Sequence, residues 1–576
     1  MTAQQQRDAT LDAMHIPETL QDSLMARLDR APRLREVAQL GSVLGREFAY
    51  DMISALAEIE EEMLQRGLAQ LVGDELLYQR GRPPRSRYLF KHALIQDAAY
   101  QSLLKRTRQQ YHERAAKLLE DRFPDVANTQ PELVAHHYTE ANCPTQAIAY
   151  WITAGGAAAS KSANLEAIDQ FRRGLALVKA LSDMREQAKR ELDLQMALGP
   201  ALFATESYSH PDMGRAYARA WELCRQLGDH SREFTALRGL YLHHLNLLEM
   251  EKAQHFAEEA LRVAERLGDA ACLVGGHVTL GNTLYYQGKL EPALAHYRRA
   301  SEMFDPNMQF PDWPGSHPGV QCQFYTMLIS WMLGYPDRSL EELRAAVGSA
   351  ETLGHPLTLA QTLCFAALIY IFRREPSAVA DCAGRALRVC EEQRIANFHA
   401  FAVCADGWAL DVSGESEKGL AQIGQGVDGY GIGSDQHILL GWQADAQLAT
   451  GKPEAALASV AAGLEAVEKM GGAPLEAELH RLRGEALLAG AGTLSEAETA
   501  IEKGIDVARR QNAKSWELRG AMSLARLRRQ QGRPQEAAAL LAPILGWFTE
   551  GFDTADLKEA KALLDQLTES AIAAEG

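Results

Sequence analysis

The chain has 576 residues, too many for one hydrophobic core, so several domains or a repeat array are expected. Hydrophobic residues at 47% and charged residues at 23% are ordinary values for a soluble protein. A formal net charge of -17 works against a general nucleic-acid binder, although it leaves room for a local basic patch.

Residues 1–15 read as a flexible leader that lacks the apolar core of a signal peptide. From 16 to 122 the chain reads as four helices, a β-hairpin and a return to helix. IPETLQDSLMARLDR opens at Pro17, and APRLREVAQLGSVLG ends near Gly45. EFAYDMISALA and EIEEEMLQRGLAQLVG supply the third and fourth helices. Two short apolar runs, Leu76–Tyr78 and Tyr88–Phe90, flank a Gly-Arg-Pro-Pro turn and predict a hairpin. Helices followed by such a hairpin make a winged-helix domain the economical reading. ALIQDAAYQSLLKRTRQQYHERAAKLLE then returns to helix.

Beyond residue 122 a short phrase recurs: a turn residue, a few polar residues, a small residue, then an apolar helix. It appears as LEMEKAQHFA, GKLEPALAHY, GYPDRSLEEL, REPSAVADCA, GESEKGLAQI, GKPEAALASV, TLSEAETAIE and GRPQEAAALL. Its small residue falls at Ala253, Ala293, Ser339, Val379, Gly419, Ala456, Ala497 and Ala537, in steps of 37 to 46 residues, mostly 40. A period of about 40 accommodates two helices of roughly 14 to 18 residues and two turns. One such hairpin cannot bury its apolar stripe alone, so neighbours must stack. The pattern resembles a tetratricopeptide repeat of longer period than usual. The predicted fold is therefore all-α, a winged-helix-like domain followed by an α-α superhelix in two parts, 123–305 and 306–570. The Pro-, Gly- and Trp-rich segment from Phe304 accounts for the 46-residue step and is the expected bend.

Several phrases carry a wider resemblance: IPETLQDSLMARLDR, GREFAYD, LLYQRG, YLFKHALIQDAAYQSLL, PELVAHHYTEA and AIAYW, with WELRGAMSLARL and LLAPILGWFTEGFDTADLKEAKALLDQL near the end. They resemble bacterial signalling proteins that join a class III adenylate/guanylate cyclase, a STAND-type AAA+ ATPase and a tetratricopeptide array. The chain has no G-x-x-x-x-G-K-[ST] phosphate loop and no cyclase carboxylates, so it is expected to be a non-catalytic regulatory half, truncated or encoded apart from its engine. ATP or ADP enters only if a partner domain supplies the site. The resemblance implies that His92, at a helix start, touches nucleotide phosphates in that setting; the plain alternative is a joint between hairpin and helix.

Other candidates are weighed on chemistry. Arg80, Arg82, Arg85, Arg87 and Lys91 form a basic patch, for a partner domain or, as in a STAND-type transcription regulator, for DNA. Tyr285, Tyr286, Tyr325 and Trp331 are candidate anchors for a protein or peptide on the concave face. GQGVDG, from Gly424, matches a dinucleotide fingerprint but follows a helical repeat, not a strand. His136-His137 and His243-His244 point about 100° apart on a helix, so no metal is expected. Eight scattered cysteines and no apolar run of about 18 residues place the protein in the cytoplasm, off the membrane.

Overall fold

All eight copies of the recurring phrase span a turn and the start of the helix after it in the computed structural model, which describes residues 32–161, 163–205, 210–305, 307–310, 313, 315–490 and 492–575. The helix at IPETLQDSLMARLDR and the leader lie outside the described residues. The chain divides between Ala201 and Leu202 into two compact units, not at 122 or 305 as expected. The reason at 305 is packing: one apolar cluster runs unbroken from Tyr241 to Trp516.

The first unit begins α1 (Pro32–Leu44), β1 (Glu47–Ala49), α2 (Tyr50–Leu56), α3 (Glu61–Gly73), β2 (Leu77–Arg80) and β3 (Arg87–Phe90). Both predicted hairpin strands form, pairing Leu77 with Phe90 and Arg80 with Arg87. A third strand was not foreseen: Glu47–Ala49, read as helix, pairs with Leu89–Arg87 and gives an antiparallel sheet of order β1-β3-β2. Three residues are too few for alternation to betray a strand. Phe48 nonetheless joins the core, stacked on Tyr88 at 5.7 Å and sitting over Gly41, where a Cβ would lie 2.7 Å from its ring. The unit continues through α4 (Ala93–Gln101), α5 (Lys105–Arg122), α6 (Pro124–Thr129), α7 (Pro131–Glu140), α8 (Pro144–Ser160) and α9 (Asn164–Val178). The last two are the hairpin expected around AIAYW. The unit division falls within α10 (Met184–Thr205).

The second unit contains α11 (Pro211–Leu227) and then the hairpins. They run α12 (His230–Asn246) with α13 (Met250–Leu267), α14 (Ala270–Tyr286) with α15 (Leu290–Met303), and α16 (Pro318–Met332) with α17 (Pro336–Leu353). Next come α18 (Pro356–Arg373) with α19 (Pro376–Gln393), α20 (Ala396–Val412) with α21 (Ser416–Tyr430), and α22 (Gln436–Ala449) with α23 (Pro453–Met470). α24 (Glu476–Ala489) with α25 (Leu494–Arg510) and α26 (Lys514–Gln530) with α27 (Pro534–Leu545) complete the series before α28 (Ala555–Glu575). Gly288 ends α14 with φ 71° and lets Lys289 N–H close on the Leu284 carbonyl at 2.9 Å; Leu248 and Arg374 adopt the same left-handed turn without being glycine. At Thr493 the turn is replaced by a reciprocal cap with Glu496. Every small residue of the series is buried on the second helix of its hairpin.

First helices are buried on almost every side, α16 and α18 above all. Pro356–Arg373 is in fact long and apolar enough to cross a membrane, against the expectation from the sequence, but most of it is buried among its neighbours. The array winds tightly enough for distant repeats to touch. Ser515 Oγ donates to the Trp331 carbonyl at 2.6 Å, Arg519 to the Phe372 carbonyl at 2.6 Å, and Glu550 accepts from Asp337 and Arg338 N–H groups at 2.8 and 3.0 Å. Among the described residues after Phe304, Trp313 is turned toward α12. Trp313 lies 4.1 Å from the Arg238 guanidinium and within reach of Phe234, and donates its indole N–H to Ser316.

Candidate functional site

Tyr285, Tyr286, Tyr325 and Trp331 are not exposed anchors. All four are at most 3% exposed, because the winding closes the concave face on itself. Tyr325 stacks on Tyr297 at 5.4 Å and meets Tyr286 hydroxyl to hydroxyl at 3.2 Å. Trp331 packs on Phe372 and Trp516 at 4.5 and 4.8 Å.

This tyrosine cluster surrounds Asp435. Tyr286 and Tyr430 hydroxyls donate to its carboxylate at 3.0 and 3.4 Å. Burial pushes the carboxyl up to about 6, against the pull of those two donors. A raised folded-state value means that the native protein holds this proton more tightly than the unfolded chain. Stability from this group is therefore greatest below the ordinary value of 3.8 and falls as pH rises through about 6. Asp435→Asn keeps a side chain that fits both tyrosines and removes the titration. Urea unfolding of the variant should show a gain of about 2 kcal/mol at pH 8, shrinking toward pH 5; equal effects at the two pH values would contradict this.

Further along the interior is an open space of about 280 Å³, walled by α18, α20, α22, α24, α26 and α28. Its aromatic walls are Phe372, Trp408, Trp442 and Trp516, and the Trp516 indole N–H is buried without a hydrogen-bond partner among the described residues. Its charged walls form a graded network. On the floor, Arg481 makes a two-pronged contact with Glu478 at 2.8 Å, and Arg519 reaches Asp556 at 2.7 Å and Glu478 at 3.5 Å. Toward the rim, Arg374 pairs with Glu559 at 2.8 Å and Arg526 with Glu559 at 3.3 Å. Floor side chains Glu478 and Arg519 are 13% and 15% exposed, and rim side chains Arg526 and Glu559 are 43% and 45% exposed. Burial pushes the Glu478 carboxyl up, but Arg481 and Arg519 outweigh it and hold it below the usual carboxylate range.

Asp445, on α22, differs from the other carboxylates. It faces the same space and is open to water, yet has no hydrogen-bond or ion-pair partner among the described residues. Protein crowding around the cavity pushes its carboxyl above the usual range, with Glu478 and Asp411 adding to the rise and Arg481 and Arg519 opposing it. None of these residues was singled out in the sequence. The available signal was tryptophan returning on first helices (DGWAL, LGWQAD, WELRG), with Trp442 and Asp445, and Trp516 and Arg519, three apart on one face.

In the first unit His92 is exposed at the start of α4 and makes no cap with its side chain. Arg80, Arg82, Arg85 and Arg87 are exposed on the β2–β3 hairpin, with Arg80 directly opposite Arg87. Arg87 reaches Glu47 at 3.2 Å, and Lys91 reaches Glu75 at 3.0 Å. GQGVDG lies within α21. Among the described residues no group of three or more His, Cys, Asp or Glu is placed for a metal. A buried histidine pair does appear: His112 Nδ1 and His137 Nδ1 are 2.8 Å apart, and Tyr100 bridges His112 Nε2 to Glu140. His137 was read with its neighbour His136; its real partner lies 25 positions upstream on α5.

No family model matches the chain. It is 25% identical over 524 residues to an uncharacterized protein of Rhizobium meliloti (strain 1021), covering 88% of this chain and 50% of that one. The chain thus spans about half the length of the curated relative it matches. Among solved structures, it is similar to a Rap protein complexed with competence and sporulation factor, at 11% identity and a TM-score of 0.42, covering 68% of this chain and 99% of that one. It is also similar to a STAND protein with a tetratricopeptide repeat sensor from Pyrococcus horikoshii, at 11% identity and a TM-score of 0.34, covering 93% and 65%.

Proposed function

We propose that this chain is a non-catalytic sensor, a cytoplasmic interaction module whose helical-hairpin array takes a peptide or small ligand in its interior and passes the event to a signalling engine. The observation that carries the reading is the cavity inside the second unit, where three tryptophans and a network of ion pairs meet around a carboxylate that is unpaired among the described residues. Binding pockets combine apolar walls with a few placed polar groups in this way. Burial of Tyr285, Tyr286, Tyr325 and Trp331 moves the expected site from a groove along the concave face to this interior space.

The engine is proposed to be a cyclase joined to a STAND-type ATPase, on the strength of the phrases between Ile16 and Lys179. The helices and antiparallel β1-β3-β2 sheet of residues 32–90 support reading this part as a winged helix, which in that setting would serve as the relay. His92, exposed at the start of α4, is then free to meet a nucleotide that the engine holds.

The test is occupancy of the cavity. Gly441 lines it, and a Cβ there meets only Leu479 at 3.5 Å, so Gly441→Trp should fill the space without disturbing the helices. Peptides and small molecules screened on the full chain should protect α22, α24 and α26 from hydrogen exchange, and the variant should abolish that protection. Ligands that bind the variant equally well would refute the reading.

A second reading has its own observation. Four exposed arginines on the β2–β3 hairpin, two of them directly opposite, fit a wing that tracks phosphates. Under this transcription-regulator reading, duplex DNA should bind with a steep salt dependence that Arg82→Ala and Arg85→Ala each reduce. Fluorescence anisotropy at low and high salt decides it.

A further inference from the structure

We propose that the cavity of the second unit recognises an organic cation, a guanidinium or ammonium group, held by Asp445 between Trp408 and Trp442. The inference rests on the sensor reading above and names the chemistry of its ligand. It follows from the charge count on the walls. Arg374, Arg481, Arg519 and Arg526 are each already paired with Glu478, Asp556 or Glu559. An incoming anion would have to compete with these carboxylates, two of them on the buried floor. Asp445 alone lacks a partner among the described residues, so a cation gains an ion pair without breaking one.

The surroundings suit that ligand. Trp442 lies one turn before Asp445 on α22, and Trp408 faces the same space from α20. Indole faces attract cations, guanidinium included, and cover the apolar part of the ligand. A cavity of about 280 Å³ admits one side chain or a small molecule, not a folded partner. Trp516, 2% exposed, adds a third indole to the walls of the same space. The cation can come from a free metabolite-sized molecule or from a basic residue of a peptide.

Proton linkage supplies an independent readout. Asp411 on α20, Glu478 and Arg481 on α24, and Arg519 on α26 are the charged groups that face Asp445, and their sum with burial leaves its carboxyl raised. A bound cation reverses that, so binding should expel a proton, the more so as pH falls, and affinity should weaken in acid.

The experiment is calorimetric titration of the full chain with N-acetyl-arginine amide, its neutral citrulline counterpart, its glutamate counterpart, and methylguanidinium as the free cation. The arginine probe should bind at least tenfold tighter than the citrulline probe. Asp445→Asn should lose at least tenfold without any fall in melting temperature, and Asp445→Glu should keep measurable binding. A methylguanidinium affinity equal to that of the arginine probe assigns the site to free cations; a markedly weaker one assigns it to peptide side chains. Equal binding by Asp445→Asn and the parent protein, or preference for the glutamate probe, would overturn the inference. If the glutamate probe binds and Gly441→Trp blocks it, the sensor reading stands while the cation falls. If no probe of any charge binds, both fall.

Discussion

Gly426→Ala should cost the array about 3 kcal/mol, whereas Gly424→Ala, two residues away on the same helix, should stabilise it by up to about 1 kcal/mol. A Cβ on Gly426 would sit 2.3 Å from Cys404 Sγ and 2.7 Å from the Ala400 carbonyl, so the backbones of α20 and α21 must part to admit it. Gly419 is in the same position, 2.5 Å from the Gly407 carbonyl and 2.6 Å from the Asp411 amide. Backbone cannot move aside as a flexible side chain can, which puts these substitutions at the upper end of overpacking costs. At Gly424 the nearest atom is the end of Gln443 at 3.9 Å, and only the helix propensity changes. Thermal and urea unfolding of the three variants should rank Gly424→Ala above the parent and the other two well below it. Loss of stability at Gly424 comparable with that at Gly426 would show that α21 is not packed as described. The hexapeptide that imitates a dinucleotide fingerprint is thus a helix whose glycines do different work: one permits contact and another is dispensable.

The first unit should loosen in mild acid. Burial first, and then the charge of His137, His136 and Arg108 on His112 and of His136 on His137, pushes both histidines down to about 3. The groups that face the pair are Tyr100 from α4, Arg108 from the same helix as His112, and His136 and Glu140 from the same helix as His137. A depressed histidine is neutral in the folded protein while the unfolded chain takes up the proton, so stability is intact above about pH 6.5 and declines as pH falls toward 3. At pH 5 the loss is about 2 kcal/mol per histidine. Hydrogen exchange of residues 93–140 in the full chain should therefore accelerate between pH 7 and pH 5, after correction for intrinsic rates. His137→Leu should flatten that dependence, although it leaves His112 short of one partner and lowers stability at pH 7. Unchanged protection of α5 and α7 across that range would contradict the assignment. Because His277, His437 and His480 are also pushed down to about 4, each by burial first, the second unit shares the trend. Local exchange, not the global melt, is the measurement that separates them.

Legibility of the chain follows the range of the forces involved. Turn and cap chemistry is local, so a left-handed Gly288, a capped Thr493 and a small residue near 40-residue spacing identified every hairpin from Leu248 onward before any contact was known. Short strands failed that test where the whole strand was only three residues, as at Glu47–Ala49. The candidate site failed it for another reason. Whether Tyr286 faces solvent or Asp435, 149 positions away, depends on how tightly successive hairpins wind, and no local pattern encodes that angle. The same holds for Trp331, covered by Trp516, and for Arg519, whose partners come from three different helices.

The sequence by itself determined the helical-hairpin array, the hairpin strands of the first unit and the absence of a phosphate loop, because each rests on residues within a few positions of one another. Only the tertiary structure decided that the concave face is closed, that the histidine pair forms across α5 and α7, and that one carboxylate, Asp445, is left without a partner among the described residues in a wall of paired charges. Burial and pairing are sums over neighbours distant in the chain, and those neighbours are chosen by the stacking of helices.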